Sequence, residues 1–251
     1  DHPANKGKDT GTHKDAIEEL YMKMDRMVGR VTSELEKDDL LMIISDHGFK
    51  SFKWGVNLNS WLYREGYLVF KNNGYSEKEW FAEVDWSRTR AYAYGLAGIF
   101  INTRGREAQG IVSPGQEQQS LLLSLQEKLE NLYDRTTSRK PIRRAILASE
   151  GLQGPYVPDA PDLLIGYNTD FRASWNCAVG KVTGSVIEEN TKAWSGDHSI
   201  DPELVPGVFF SNWRISDSFP ELVDLAPTIL DLFGVGRQRY QDGRVLTLTK
   251  P

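Results

Sequence analysis

An α/β fold built on a mostly parallel sheet is what this sequence predicts, on three observations. Leu40-Leu41-Met42-Ile43-Ile44-Ser45 is an unbroken apolar run of strand length. Such a run reads as a strand buried on both faces, the habit of parallel sheets. An apolar stripe of helical period precedes it, the αβ order of a sheet covered by helices. The 251 residues also suffice for one large α/β domain with a sizeable core.

The helix is expected from about Lys14 to Glu36, where Ile17, Leu20, Tyr21, Met24, Val28, Val31 and Leu35 recur at three- and four-residue steps. That face is expected to pack on the sheet. The polar turn Lys37-Asp38-Asp39 leads into the strand. Ser60 to Glu65 reads as a short helix with Asn59 as its N-cap and Gly66 as its stop, followed by a short strand at Tyr67-Leu68-Val69-Phe70. Lys71 to Trp86 is polar and aromatic without a period. Ala91-Tyr92-Ala93-Tyr94 and Gly98-Ile99-Phe100-Ile101-Asn102 then read as paired strands, closed by a charged turn at Arg104-Gly105-Arg106-Glu107 that lacks phosphate-loop spacing.

Gln116 to Leu132 is a second amphipathic helix, its apolar side made of Leu121, Leu122, Leu125, Leu129 and Leu132. The basic run Arg135, Arg139, Lys140, Arg143 and Arg144 reads as a solvated face. Ala145-Ile146-Leu147 and Asp162-Leu163-Leu164-Ile165-Gly166-Tyr167 are strands, with Pro155, Pro158 and Pro161 punctuating the loop between them. Near the end, Asp224 to Phe233 is a helix closed by Gly234; Pro227 is tolerated only in a first turn, so the helix begins near Leu225 or Ala226. The whole chain is expected to be one domain, with an insertion or cap within residues 71–195.

Chemistry concentrates at two places. Asp46 and His47 leave the apolar strand together and meet Gly48, and open α/β sheets place ligands beyond the carboxyl ends of their strands. Far downstream, Trp194-Ser195-Gly196-Asp197-His198-Ser199 precedes the apolar strand Gly207-Val208-Phe209-Phe210-Ser211. Two of the four histidines thus stand in Asp-His pairs beside strands. A carboxylate and imidazoles are what zinc, manganese or iron take as ligands. The same pairs also suit a plain structural role as strand-end caps or as partners for buried polar groups, and the residues alone leave both open.

Composition excludes some classes. A net charge of −5 and a pI near 5.5 give no basic stripe for extended nucleic-acid binding. No stretch approaches the roughly 18 to 20 apolar residues needed to span a bilayer, and no secretory signal is visible. The single cysteine, Cys177, allows no internal disulfide and points to the cytoplasm; it reads as a buried, inert thiol.

The words around the Asp-His pairs go further. Ile43-Ile44-Ser45-Asp46-His47-Gly48-Phe49 resembles the metal-binding strand end of the alkaline phosphatase superfamily, in its type I phosphodiesterase and nucleotide pyrophosphatase branch. Gly196-Asp197-His198 resembles the late histidine motif of that superfamily. Asp224-Leu225-Ala226-Pro227-Thr228-Ile229-Leu230 resembles its closing helix. Gly55-Val56-Asn57-Leu58-Asn59-Ser60-Trp61-Leu62, Val205-Pro206-Gly207-Val208 and Phe171-Arg172-Ala173-Ser174-Trp175 are similar to a group of bacterial and archaeal phosphohydrolases or phosphomutases of mostly undefined substrate.

The resemblance implies an alkaline-phosphatase-like three-layer α/β/α sandwich and a metal-dependent hydrolase of phosphate monoesters or diesters. It implies two divalent cations, zinc or manganese, with Asp46 and His47 binding one and His198 its neighbour, and a small-molecule phosphate ester as substrate. The family's early aspartate and its threonine or serine nucleophile match nothing in this chain. The expectation is therefore the C-terminal portion of a longer protein, weakly active or inactive alone. Asp9 and His13 have the family's Asp-x-x-x-His spacing and are candidate ligands, or else part of a polar loop. Arg172 and Trp175 are candidate walls of a substrate pocket, or aromatic and charged packing. Cofactor-independent phosphomutase chemistry is the enzymatic alternative, sulfatase chemistry is a weaker match, and a noncatalytic metal- or ligand-binding domain is the alternative of another class.

Overall fold

The computed structural model describes residues 5–8, 11–72, 74–96 and 98–250. In chain order the elements are α1 (Ala16–Ser33), β1 (Met42–Ile44), β2 (Lys50–Val56), α2 (Leu58–Arg64), β3 (Ala91–Tyr94), β4 (Gly98–Ile101), α3 (Gln116–Glu130), β5 (Ile142–Leu147), α4 (Ala148–Gly151), β6 (Leu163–Tyr167), β7 (Asp170–Ala173), α5 (Trp175–Ala178), β8 (Ile187–Glu189), β9 (Gly196–Asp197), β10 (Phe209–Ser211), β11 (Arg214–Ile215), α6 (Leu225–Leu232) and β12 (Leu248–Thr249). They fall into two compact units, residues 1–8 with 49–206 and residues 9–48 with 207–251.

The larger unit carries two sheets. One has the order β3-β4-β6-β5 and is antiparallel throughout. The alternation Ala91-Tyr92-Ala93-Tyr94 turns the alanines inward and the tyrosines outward, as the two-residue period of a strand requires. Helix α3 buries Leu121, Leu125 and Leu129, each worth roughly 2 kcal/mol. Two side chains staple α3 to β5: Gln126 Nε2 donates to the Ala145 carbonyl at 2.7 Å, and Glu130 Oε1 accepts from the Ala145 N–H at 3.0 Å.

The second sheet has the order β7-β2-β8, with β9 also paired to β2. Strand β2 runs parallel to β7 and antiparallel to β8 and β9. A Cβ at Gly55 would come within 2.9 Å of the Ser174 Cβ, so the end of β7 approaches β2 there only because residue 55 has no side chain. Helix α2 starts two residues earlier than its sequence suggests. Asn57, not Asn59, is the N-cap, its side chain accepting from the Ser60 N–H at 3.0 Å. Asn59 faces inward, donating to the Ala93 carbonyl at 2.7 Å and accepting from the Ala93 N–H at 2.8 Å. Gly66, at φ +77°, ends the helix as expected. Tyr67 to Phe70 is not a strand: only a single bridge from Phe70 to Val84 forms there.

In the smaller unit, β1 pairs antiparallel with β10, Ile43 opposite Phe210. Asp224 organises the approach to α6: its Oδ2 accepts from the Glu221 N–H and its Oδ1 from the Arg244 N–H, both at 2.9 Å. Thr228 then donates to the Asp224 carbonyl at 2.6 Å and accepts from the Leu246 N–H at 2.9 Å.

Three further expectations are corrected. Strand pairing among the described residues is mostly antiparallel, β2 with β7 being the one parallel pair of strands, so the mixed α/β character holds but a parallel sandwich does not emerge. Strand β1 is not buried on both faces, since Ile44 is 49 % exposed. Helix α1 buries none of its residues; Ile17 and Tyr21 on its apolar stripe are each 75 % exposed. An apolar stripe is buried only where another element lies against it, and the two-stranded β1-β10 ladder is too narrow to cover an 18-residue helix.

Candidate functional site

Strand β1 delivers Asp46 two residues past its end, which is where the sequence placed it. The Asp46 carboxylate is largely exposed and its Oδ2 lies 3.3 Å from His47 Nε2. His47 Nδ1 lies 2.9 Å from the Gly48 carbonyl oxygen. A carbonyl only accepts, so Nδ1 is the donor in this bond, and Nε2 is the ring nitrogen nearer the Asp46 carboxylate. Two ligand atoms on a tetrahedral zinc stand about 3.3 Å apart at ordinary bond lengths of about 2.0 Å. The Asp46-His47 pair thus fits one edge of a metal's coordination shell, with its histidine oriented by a backbone carbonyl in the manner usual for a ligand.

Asp197 ends the short strand β9, where it pairs with Lys50 of β2, and His198 follows it. Asp197 Oδ1 accepts from the backbone N–H groups of His198 at 2.7 Å and Ser199 at 2.9 Å. Its Oδ2 receives Arg172 Nη1 in a short ion pair and lies 3.4 Å from Trp194 Nε1. Burial pushes the Asp197 carboxyl up, but the Ser199 N–H and the Arg172 charge outweigh it and hold its pKa below the usual carboxylate range. The His198 ring is about half exposed and tilts against Phe49 with centroids 5.8 Å apart.

Arg172 is only 1 % exposed. Its guanidinium lies 4.1 Å from the centre of the Trp175 ring and 5.1 Å from that of Phe52. Burial draws its pKa below the usual arginine range, with Asp197 opposing the shift. Its Nε and Nη2 have no partner among the described residues. Trp175, by contrast, lines an open cleft of about 240 Å³ with Asn176, Glu188, Asn190 and Lys192. Arg172 is not among the residues lining that cleft. Ser174 caps α5 by accepting from the Cys177 N–H at 3.0 Å, which fixes where Trp175 sits.

Of the remaining candidates, His13 ends an exposed 3₁₀ turn, Gly11–His13, and Asp9 lies outside the described residues. Within neither unit do three or more described His, Cys, Asp or Glu side chains gather as a metal cage. In the charged turn, Arg106 is ion-paired with Asp162 and Glu107. Sequence reading missed the Asp197-Arg172 pair as a unit. The only local signal was that both words carry a charged residue beside predicted strands.

Each unit thus carries an Asp-His pair beside a strand, and the pair in the larger unit is fixed by a buried arginine. The comparison with protein families gives the class, the phosphoric ester hydrolases. The family model of type I phosphodiesterase / nucleotide pyrophosphatase matches residues 1–193, and the chain belongs to that family. The match includes Asp46 and His47 and stops short of His198. No curated protein and no solved structure matches the chain. No helix among the described residues is long and apolar enough to cross a membrane.

Proposed function

We propose that this chain serves metal-dependent hydrolysis of small-molecule phosphate monoesters or diesters, with Asp46 and His47 holding one divalent cation, zinc or manganese, and His198 holding a second. The observation that carries this reading is the 3.3 Å separation of Asp46 Oδ2 and His47 Nε2, with Nδ1 turned to the Gly48 carbonyl. A divalent cation, when bound, neutralises the phosphate charge that repels an incoming nucleophile. Around it, Gly48 fixes the His47 tautomer, and Arg172 with Asp197 fixes the backbone that presents His198. Trp175 offers a ring face to the organic part of the substrate. No serine or threonine here stands in a motif that matches the family's nucleophile, so turnover by this chain alone is expected to be slow or absent. Residues 71–195 contain, in this reading, the insertion or cap that shapes specificity within a single superfamily domain, and the buried thiol of Cys177 suits a cytoplasmic setting.

Equilibrium dialysis against zinc and manganese, followed by metal analysis of the protein, tests the ligand assignment without depending on turnover. His47→Ala and His198→Ala are each expected to lower metal affinity by about tenfold or more. Unchanged binding in both variants would overturn the assignment. Paired assays on 4-nitrophenyl phosphate and bis(4-nitrophenyl) phosphate, with and without chelator, then read whether any turnover needs the metal and which ester class is cleaved.

A further inference from the structure

Away from the Asp-His pairs, the larger unit holds a cavity of about 370 Å³ walled by Phe81, Trp86, Tyr92 and Tyr94, with Asn102 and Glu107 at its polar side. Three of the rings meet edge to face: Trp86 and Tyr92 at 5.2 Å and 87°, Phe81 and Tyr92 at 5.5 Å and 83°, Phe81 and Trp86 at 5.5 Å and 63°. Tyr92 also stacks on Phe100 at 5.3 Å and 12°. The walls are therefore braced by one another.

The backbone is bent to build them. Trp80, Phe81 and Glu83 adopt φ of 59°, 56° and 70°, a region that bulky residues avoid. The Phe81 ring rests where a Cβ on Gly180 would come within 2.7 Å of it. This glycine makes room for the ring.

Asn102 supplies the decisive polar feature. It is 1 % exposed, and its Nδ2 donates to the carbonyls of Thr89 at 2.8 Å, Trp86 at 3.0 Å and Gln109 at 3.1 Å. Three carbonyls around the nitrogen settle the orientation of the amide. Its Oδ1 is left without a hydrogen-bond partner among the described residues, and a buried acceptor gains most from a donor brought by a ligand. Glu107 Oε1 accepts from Arg106 Nε and its Oε2 from the Thr103 N–H, each at 2.7 Å. Arg106 is shared with Asp162 through contacts of 3.0 and 2.6 Å. Glu107 is the charged side chain among the described residues lining the cavity, and no described lysine or arginine lines it.

We propose that this cavity is a binding site for a protonated primary amine on a small apolar body, its ammonium donating to Asn102 Oδ1 beside the Glu107 carboxylate and its body lying against the Phe81, Trp86, Tyr92 and Tyr94 rings. The ring faces carry the negative lobes of their quadrupoles and attract a cation. The acceptor oxygen requires a ligand that carries N–H, which separates this class from fully methylated ammonium ions. Burial and the Glu107 carboxylate push the Tyr92 phenol up to about 12, so it stays neutral in the working range. A free amine and the lysine side chain of another protein present the same chemistry.

Isothermal titration calorimetry on the full chain, backed by saturation-transfer NMR, tests this with four probes: benzylammonium, tetramethylammonium, benzyl alcohol and Nα-acetyl-lysine methylamide. Benzylammonium is expected to bind about tenfold more tightly than benzyl alcohol and than tetramethylammonium. Whichever of benzylammonium and the lysine amide binds more tightly names the source of the amine. Glu107→Gln is expected to lower the affinity about tenfold, and Tyr94→Ala, at an exposed position that tolerates truncation, to lower it as well. Binding by neither amine at roughly 10 mM, equal binding of benzyl alcohol and benzylammonium, or affinity unchanged in both variants would overturn the proposal.

Discussion

Arg172 and Asp197, both sealed inside the larger unit, form an ion pair whose carboxylate also holds the backbone N–H groups of His198 and Ser199. One guanidinium thereby governs the placement of a candidate metal ligand that it does not touch. Removing a partner from a buried pair leaves an uncompensated charge. Arg172→Met is accordingly expected to cost about 3 kcal/mol of unfolding free energy in urea. It should also weaken His198-dependent metal uptake. A loss within the scatter of surface substitutions would mean that the pair is neither buried nor structural.

The same pair sets a pH dependence. Because the folded pKa of Asp197 lies below the usual range, its contribution is complete above the unfolded carboxylate value of about 3.9 and is lost as pH falls through the folded pKa. The stability gap between the native chain and Asp197→Asn should be constant from about pH 7 to pH 5 and shrink below about pH 4. Urea denaturation at several pH values reads this directly. A gap that widens on acidification would contradict the lowered pKa.

Asn59 ties α2 to β3 through two hydrogen bonds to the backbone of Ala93. Asn59→Ala leaves a buried N–H and a buried C=O unpaired, and is expected to destabilise by about 2 kcal/mol. Asn57→Ala removes the N-cap of α2 together with the Nδ2 bonds to the Lys181 carbonyl at 3.1 Å and Thr183 Oγ1 at 3.2 Å, and should also cost about 2 kcal/mol. Chemical denaturation of the two variants measures both; a loss below about 0.5 kcal/mol in either would contradict the role of its buried hydrogen bonds.

Burial pushes the Cys177 thiol up to about 11, as the sequence reading of an inert thiol anticipated. At pH 8 the thiolate is a fraction of roughly one in a thousand. A disulfide reagent such as dithionitrobenzoate should find no thiol in the folded chain and one per chain in denaturant. Prompt labelling of the folded chain would contradict the burial.

Helix α1 supplies a test of the opposite kind. Leu20 is exposed on a helix that buries none of its residues, so Leu20→Lys should change stability by no more than about 0.5 kcal/mol. Were that stripe packed as its period suggested, the same change would cost several times more. Thermal melts of the variant decide between the two.

The sequence by itself determined what depends on neighbours along the chain. The leucine period of α3, the alternation of β3, the proline limit on the start of α6 and the Asp46-His47 pair at a strand end are all properties of a few consecutive residues, and all stand in the structure. The family, too, was legible in short words. Tertiary structure decided what depends on residues distant in the chain. An apolar run such as Leu40 to Ile44 fixes that a strand forms, but its direction and burial depend on the strand it meets, here the antiparallel β10. A stripe such as that of α1 states a capacity for burial, and only an opposing surface realises it. Whether Asn57 or Asn59 caps α2 depended on Ala93 claiming the second asparagine from another strand. The pairing of Arg172 with Asp197, and the cavity in which Asn102 meets Phe81 and Trp86, join segments that no local period connects, because burial and electrostatic pairing act through space.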